Sequence, residues 1–410
     1  MLFIQSGLDT GLSESLFSCD RVTGKIIHMT QSLSPLAQQS IDLHRKLRGK
    51  IRIDTTTPIE TLQDLTLVYT PGVGAVSTRI AEDPKAVDEL TWRKNTVAIV
   101  SDGSAVLGLG NIGPAAALPV IEGKSAIFKR FANLNAVPLV LGTQNVEDII
   151  TTIAALEPSF GAIQLEDIAA PRCFEIEARL QERLHIPVMH DDQHGTAIVI
   201  LAGLYNAHKV VGKRMEDVRV VLNGAGAAGV ATAKLLKAAG VRFFIAVDRT
   251  GVICRERKDL TQEKQWLAEM STNAVSGQTL ADVVKGADVL IGVSAAGAFT
   301  SEIVKTMATQ PIVFAMANPV PEILPEVARA TGVAVLGTGR SDFPNQVNNA
   351  LCYPGLFRGM LDQGVIKVTD EIKLRAARAI AAFVEHPTAN KIIPTMFEQG
   401  LHEAVAKSVT

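Results

Sequence analysis

Gly224, Gly226 and Gly229 stand in G-x-G-x-x-G spacing within "VVLNGAGAAGVATAKLL". A β-branched apolar run (218–222) comes before them and an alanine-rich run (228–237) after them. That order predicts a strand, a tight turn and a helix, the opening unit of a parallel α/β sheet. The first glycine permits the turn, the second lets a phosphate approach the backbone, and the third lets helix and strand pack closely. The helix N-terminus then faces the anion. Gly224, Ala225, Gly226, Ala227, Ala228 and Gly229 are therefore expected to cradle a dinucleotide pyrophosphate. The next apolar run, "FFIAVD", ends at Asp248, about where a ribose-binding acid is expected, ~20 residues downstream. Arg249 follows at once. A carboxylate there repels a 2′-phosphate and a guanidinium holds one, so NAD and NADP both stay open.

Apolar runs alternate with helical patterns along the rest of the chain. A short strand is expected at 96–100, and a helix over 145–160 with Asn145 as its cap. "GAIQLED" reads as a strand, 171–184 as a helix with Pro171 in its first turn, and "IPVMHDD" as the next strand. A helix at 195–212 is apolar on most sides and so should be buried. A second series follows through "VRFFIAVDRTG", "GADVLIGVSAAG" and "QPIVFAMANP", closed by helices near 370–385 and 394–407. This rhythm predicts an α/β fold with parallel sheets. The expected division is an N-terminal α/β domain over 29–190, a Rossmann-like doubly wound domain over 191–370, and C-terminal helices over 371–410. A helix is expected near 36–48, where Leu36, Leu43 and Leu47 share a face. Residues 1–28 read as a loosely ordered extension or a start assigned too early.

Composition narrows the classes. With net charge −2 and 20% charged residues, nothing marks a nucleic-acid partner. No apolar run is long enough to span a membrane. The four cysteines are scattered without a CxxC pair, which argues against a disulfide framework or a thiolate zinc site and fits a reducing cytoplasm.

Two acidic clusters, Glu166-Asp167 and Asp191-Asp192, fall at the carboxyl ends of expected strands, where parallel sheets bind ligands. Three carboxylates from two strand ends, Glu166, Asp167 and Asp192, would make a hard oxygen site suited to Mg²⁺ or Mn²⁺. His190 and His194 flank the second cluster and are expected to orient the loop rather than bind the ion.

The segments "VYTPGVG" (68–74), "SDGSAVLGLGNIGP" (101–114), "PVIEGKSAIFKRFA" (119–132), "LEDIAAPRCFEIE" (165–177), "HDDQHGTA" (190–197), "GAGAAG" (224–229), "ANPVPEI" (317–323) and "GRSDFPNQVNNALCYPG" (339–355) occur in order. As a set they resemble malic enzyme, in its short bacterial and archaeal form, over about residues 36–390. The resemblance implies an N-terminal malic domain followed by an NAD(P) domain. It also implies oxidative decarboxylation of malate to pyruvate, a divalent metal, and a homodimer or higher homo-oligomer. It makes Lys124 the general base for the C2 hydroxyl, with a lowered pKa, and Asp191 the acid that supports it. Tyr69 becomes the general acid that protonates C3 of enolpyruvate. Glu166, Asp167 and Asp192 become metal ligands. Asn318 and Asn349, helped by Asn348, become amides for the substrate carboxylate or the nicotinamide ribose.

One departure stands out. Larger members of the family carry an arginine in the "DG…LGLG" stretch, where this chain has Ser104-Ala105, so the counter-charge for malate is unassigned. Two other functions compete. An oxaloacetate decarboxylase would need no working dinucleotide site, and a dead-enzyme regulator should have lost a base or a ligand.

Overall fold

The computed structural model describes residues 34–410; the extension expected over 1–28 lies outside them. Residues 34–48 and residues 49–410 belong to separate units. In the first, the helix Pro35–Leu47 is capped by Ser34, whose hydroxyl accepts from the Ala37 N–H. Arg48 ends it in a left-handed conformation.

The second unit holds two sheets. Strands β1 (Thr96–Ser101), β2 (Asn135–Val140), β3 (Ala162–Leu165) and β4 (Val188–His190) form the first, in the order β2-β1-β3-β4. Every pairing in it is parallel, with Ala98 of β1 opposite Val137 on one side and Ile163 on the other. Strands β5 (Arg219–Asn223), β6 (Phe243–Asp248), β7 (Gly251–Val252), β8 (Val289–Gly292), β9 (Ile312–Ala315) and β10 (Val335–Thr338) form the second. Their order is β10-β9-β8-β5-β6-β7, parallel except for the short β6–β7 hairpin.

Helices cover the faces, as parallel sheets require. One core fuses the sheets. Val97 and Ile99 of β1 belong to it, as do Val220 and Leu222 of β5, and Ile198 through Leu204 of the helix Asp191–Val211 fill the middle. That helix is buried along most of its length, as its unbroken apolar composition predicts. The far faces of the sheets pack into two further clusters, centred on Ile163 and on Leu290. Among the described residues no helix is long and apolar enough to cross a membrane.

Three local readings shift. Asp191 and Asp192 form the first turn of a helix instead of ending a strand, and carboxylates are favoured there by the helix dipole. Pro171 precedes the helix Arg172–Arg183 as its cap residue, after a cis peptide bond from Ala170. The last helix spans only Leu401–Lys407, because Gly400 sits left-handed at its start.

Candidate active site

The candidate residues collect at the carboxyl ends of the strands. Glu166 and Asp167 follow β3. Asp191 and Asp192 follow β4. The glycine turn follows β5, Asn318 follows β9, and Asn348 and Asn349 lie beyond β10. Lys124 comes from the middle of the helix Pro114–Ala132, packed on the first sheet.

Lys124 Nζ lies 2.5 Å from Asp191 Oδ2 and 2.9 Å from Glu166 Oε1. Burial disfavours the ammonium, but Asp191 and Glu166 outweigh it and hold the group well above the usual lysine value. The expected lowering is thus not found in this arrangement. Two neighbouring carboxylates win over desolvation, and the ammonium also sits 4.8 Å from the ring centre of Tyr353. Asp191 is wholly buried, and its Oδ1 rests where a side chain at position 195 would be: a Cβ on Gly195 would meet it at 1.9 Å.

Glu166, Asp167 and Asp192 each offer an oxygen within 4.8 Å of the others. Their environment is that of a cation site. Burial, then the Asp192 charge, raises the Asp167 carboxyl to about 7. Its Oδ2 is buried without a hydrogen-bond partner. Asp167 adopts a left-handed backbone at φ 54°, uncommon for a non-glycine residue. A divalent cation would relieve both the orphaned oxygen and the like-charge repulsion, so the three acids fit Mg²⁺ or Mn²⁺. Burial opposes the Asp192 charge, but His190 and the Asp167 N–H hold that carboxyl below its usual range.

These groups line a cavity of about 480 Å³. Asn318, Asn348 and Asn349 line it too, and Asn348 Oδ1 also caps the turn by accepting from the Ala350 N–H at 2.8 Å. Among the described lining residues Lys124 is the only cationic side chain. Ala105 lines the wall, whereas Ser104 is buried on Asp102 and Arg172, so no counter-charge comes from that stretch. Tyr69 is not brought in. It is 64% exposed and does not line the cavity.

A second cavity of about 950 Å³ adjoins the first, and Ser294 lines both. Gly224, Ala225 and Gly226 form its floor, with Ala228 on the neighbouring wall of the smaller cavity. Gly224 has φ 120°, and a Cβ on Gly229 would strike the Gly224 carbonyl at 1.9 Å. Gly226 is open to approach, with nothing within 4 Å of its would-be Cβ. Asp248 and Arg249 line the far end. The Asp248 carboxylate is occupied: it accepts from Arg257 at 2.8 and 3.1 Å, from Lys264 at 2.6 Å and from the Thr250 hydroxyl at 2.8 Å. Burial opposes its charge, but these donors hold it far below the ordinary aspartate value.

Comparison with known proteins agrees with this architecture. The profile described as "Malic enzyme, NAD binding domain" matches residues 193–409, and "Malic enzyme, N-terminal domain" matches 48–146 and 142–181. The chain is 54% identical over 363 residues to the NAD-dependent malic enzyme of Geobacillus stearothermophilus, covering 88% of this chain and 76% of that one. The chain belongs to the malic enzyme family. Its other relatives include the bifunctional malic/malolactic enzyme of Bacillus subtilis, 49% identical over 91% of this chain and 92% of that protein. The crystal structure of the NAD-dependent malic enzyme of Thermotoga maritima superposes with a TM-score of 0.87 at 46% identity, covering 90% and 98% of the two chains. The family's two-part organisation accounts for the two sheets and the paired cavities.

Several site residues escape sequence reading. Arg257 and Lys264 make contacts to Asp248 that no spacing rule announces, whereas Glu177 and Glu322 lie inside the segments 165–177 and 317–323 without a role having been assigned to them. Glu322, for example, accepts from the Ser294 and Ala317 N–H groups at 2.9 Å each and so fixes two stretches of cavity wall. Tyr353 had one available signal: it follows the asparagine pair within the same motif.

Proposed function

We propose that this chain catalyses the oxidative decarboxylation of (S)-malate to pyruvate and CO₂ with reduction of NAD or NADP, in a divalent-metal-dependent reaction. The observation that carries the reading is the placement of Lys124 against Asp191 and Glu166, beside a three-acid cluster, in a cavity that shares a wall with the dinucleotide cavity. Lys124 takes the proton of the C2 hydroxyl as hydride leaves C2 for the nicotinamide. Asp191 and Glu166 hold Lys124 as the ammonium in this arrangement, so to act as base it must first give up its own proton, which Asp191, 2.5 Å away, is placed to receive. Glu166, Asp167 and Asp192 would hold Mg²⁺ or Mn²⁺, which supplies Lewis-acid polarisation of the substrate oxygens when bound. Asn318, Asn348 and Asn349 present neutral amides to the substrate carboxylate or the nicotinamide ribose. Tyr69 delivers a proton to C3 after CO₂ has left.

The intact glycine turn favours this reading over an oxaloacetate decarboxylase without a cofactor. The complete set of acids and Lys124 favours it over an inactive regulator. Because Tyr69 stands exposed on a segment with no buried helical residue on either side, we read the working unit as a homodimer in which a second copy brings Tyr69 to the cavity. Cys173, Cys254 and Cys352 are buried free thiols, which suits a reducing cytoplasm.

The test is purified protein with malate, Mn²⁺ and either NAD or NADP, following reduced cofactor and pyruvate together. Equimolar formation of both, lost on chelation, is expected. Pyruvate from oxaloacetate without any cofactor reduction from malate would overturn the reading.

A further inference from the structure

Gly195 is buried in the second turn of the helix Asp191–Val211. Alanine is the better helix former at such a position, and glycine costs stability there. The backbone at 195 is not left-handed, so no turn geometry demands glycine either. The reason lies four residues earlier. In an α-helix each Cα–Cβ bond tilts toward the N-terminus, so a side chain at 195 would lean onto Asp191. Its Cβ would stand 1.9 Å from Asp191 Oδ1 and 2.9 Å from the Asp191 carboxyl carbon. The same Cβ would come within 3.1 Å of Asn349 Cβ, a closeness that a small shift absorbs. Asp191 has no such freedom. Its Oδ2 is held by Lys124 Nζ at 2.5 Å, and Lys124 is held in turn by Glu166 Oε1 at 2.9 Å. The aspartate is wholly buried, and among the described residues its Oδ1 meets no hydrogen-bond partner. Shape, and not a hydrogen bond, seats that oxygen.

We propose that Gly195 is a positioning residue for the reaction: the space left by its absent side chain seats the Asp191 carboxylate and so fixes where Lys124 Nζ is held in the cavity. The proposal rests on the roles given above to Lys124 and Asp191. It gives a function to the glycine of "HDDQHGTA". A methyl group at 195 must displace the carboxylate by about 1 Å, and a misplacement of that size costs about 100-fold in rate. Lys124 either follows the carboxylate or loses it, and in both cases its amine leaves the place set by Glu166 and Asp191.

The experiment compares wild type, Gly195→Ala, Asp191→Ala and the protein carrying both substitutions. Each is melted, and each is assayed for malate oxidation at saturating Mn²⁺ and cofactor. Gly195→Ala is expected to lower kcat by about 100-fold while KM for malate stays near its wild-type value. Its Tm should fall. In Asp191→Ala the oxygen is gone, so the same methyl group has room. There it should take nothing further from kcat and should raise Tm, as alanine does inside a helix. A general loss of packing would lower Tm in both backgrounds, so the reversal of sign marks the seat. If Gly195→Ala does not fold, the other pair decides: a double variant that melts above Asp191→Ala supports the proposal, and one that does not overturns it. Wild-type kcat in Gly195→Ala, or a further loss of kcat in the double variant, also overturns it. Should Asp191→Ala oxidise malate as wild type does, the role given to Asp191 has failed instead, and the Tm comparison alone decides whether Gly195 seats its carboxylate.

Discussion

Lys124 and Tyr69 are given proton transfers at different atoms, and their surroundings differ as much as their roles. The lysine is almost enclosed, held by two carboxylates and an aromatic ring. The tyrosine is open to solvent. Without a base the C2 alkoxide cannot form as hydride leaves, so Lys124→Ala should stop malate oxidation, by about 10²–10⁴-fold for a lost proton transfer. Tyr69→Phe should spare hydride transfer and decarboxylation. Its enolpyruvate product should instead tautomerise in solution. Tritium exchange into the methyl group of pyruvate, measured beside oxaloacetate reduction, separates the two. Tyr69→Phe is expected to lose the exchange and keep most of the reduction. Wild-type exchange in that variant would move the acid role elsewhere, with Lys124 examined first. At this scale the sequence was informative where chemistry is local. Adjacent acids, the motif lysine and the asparagine pair all reached the same cavity. It was silent where a partner comes from another element: Glu177 stands mid-helix in the crossover between β3 and β4, and only the folded contact of that helix with the strand end joins it to His190.

Among elements, the strand–turn–helix around Gly224 was the most legible, because steric demands on glycine are written in single residues. The stretch after β6 was less so. Asp248 was expected to address the ribose, yet the chain doubles back after β7 and returns Arg257 and Lys264 to its carboxylate. A fixed offset along a sequence cannot reveal donors supplied by a returning loop. The consequence concerns cofactor choice. An acid already paired with two cations repels a 2′-phosphate weakly, while Arg249 stands exposed on the wall of the same cavity. NADP thus stays open beside NAD, and Arg249 is the residue on which the choice can be tested. Arg249→Ala should raise the KM for NADP by about tenfold or more, the loss expected for a charge-assisted hydrogen bond, with little change for NAD. Steady-state kinetics with both cofactors at saturating malate and Mn²⁺ check this. Equal effects on both would remove Arg249 from the phosphate site.

The fold as a whole was legible from its alternation of strands and helices, down to the buried helix that joins the sheets. How many copies make one working site was not, because a surface that is exposed in one chain carries no periodic signal of its partner. The helices Leu62–Val68 and Val73–Glu82 bury no residue, although Leu62, Leu65, Leu67 and Val68 are large and apolar. Leu107 and Leu109 are likewise exposed, and Leu107 belongs to the cavity wall. Apolar surface of this kind, around a site that lacks its proposed acid, is what the proposed homodimer would cover. Subunit complementation tests it. Tyr69→Phe and Lys124→Ala proteins, each defective in pyruvate methyl exchange, are mixed, dissociated and allowed to reassociate. If Tyr69 acts across the dimer, each hybrid holds one site with both residues intact. Random reassociation then restores about one quarter of wild-type exchange, since half the dimers are hybrid and one of their two sites works. If Tyr69 serves its own chain, every hybrid site lacks one residue and the mixture stays as inactive as its parts. Sedimentation of the mixture confirms that dimers have re-formed, so that a silent mixture of dimers speaks against the shared site and not against the reassociation.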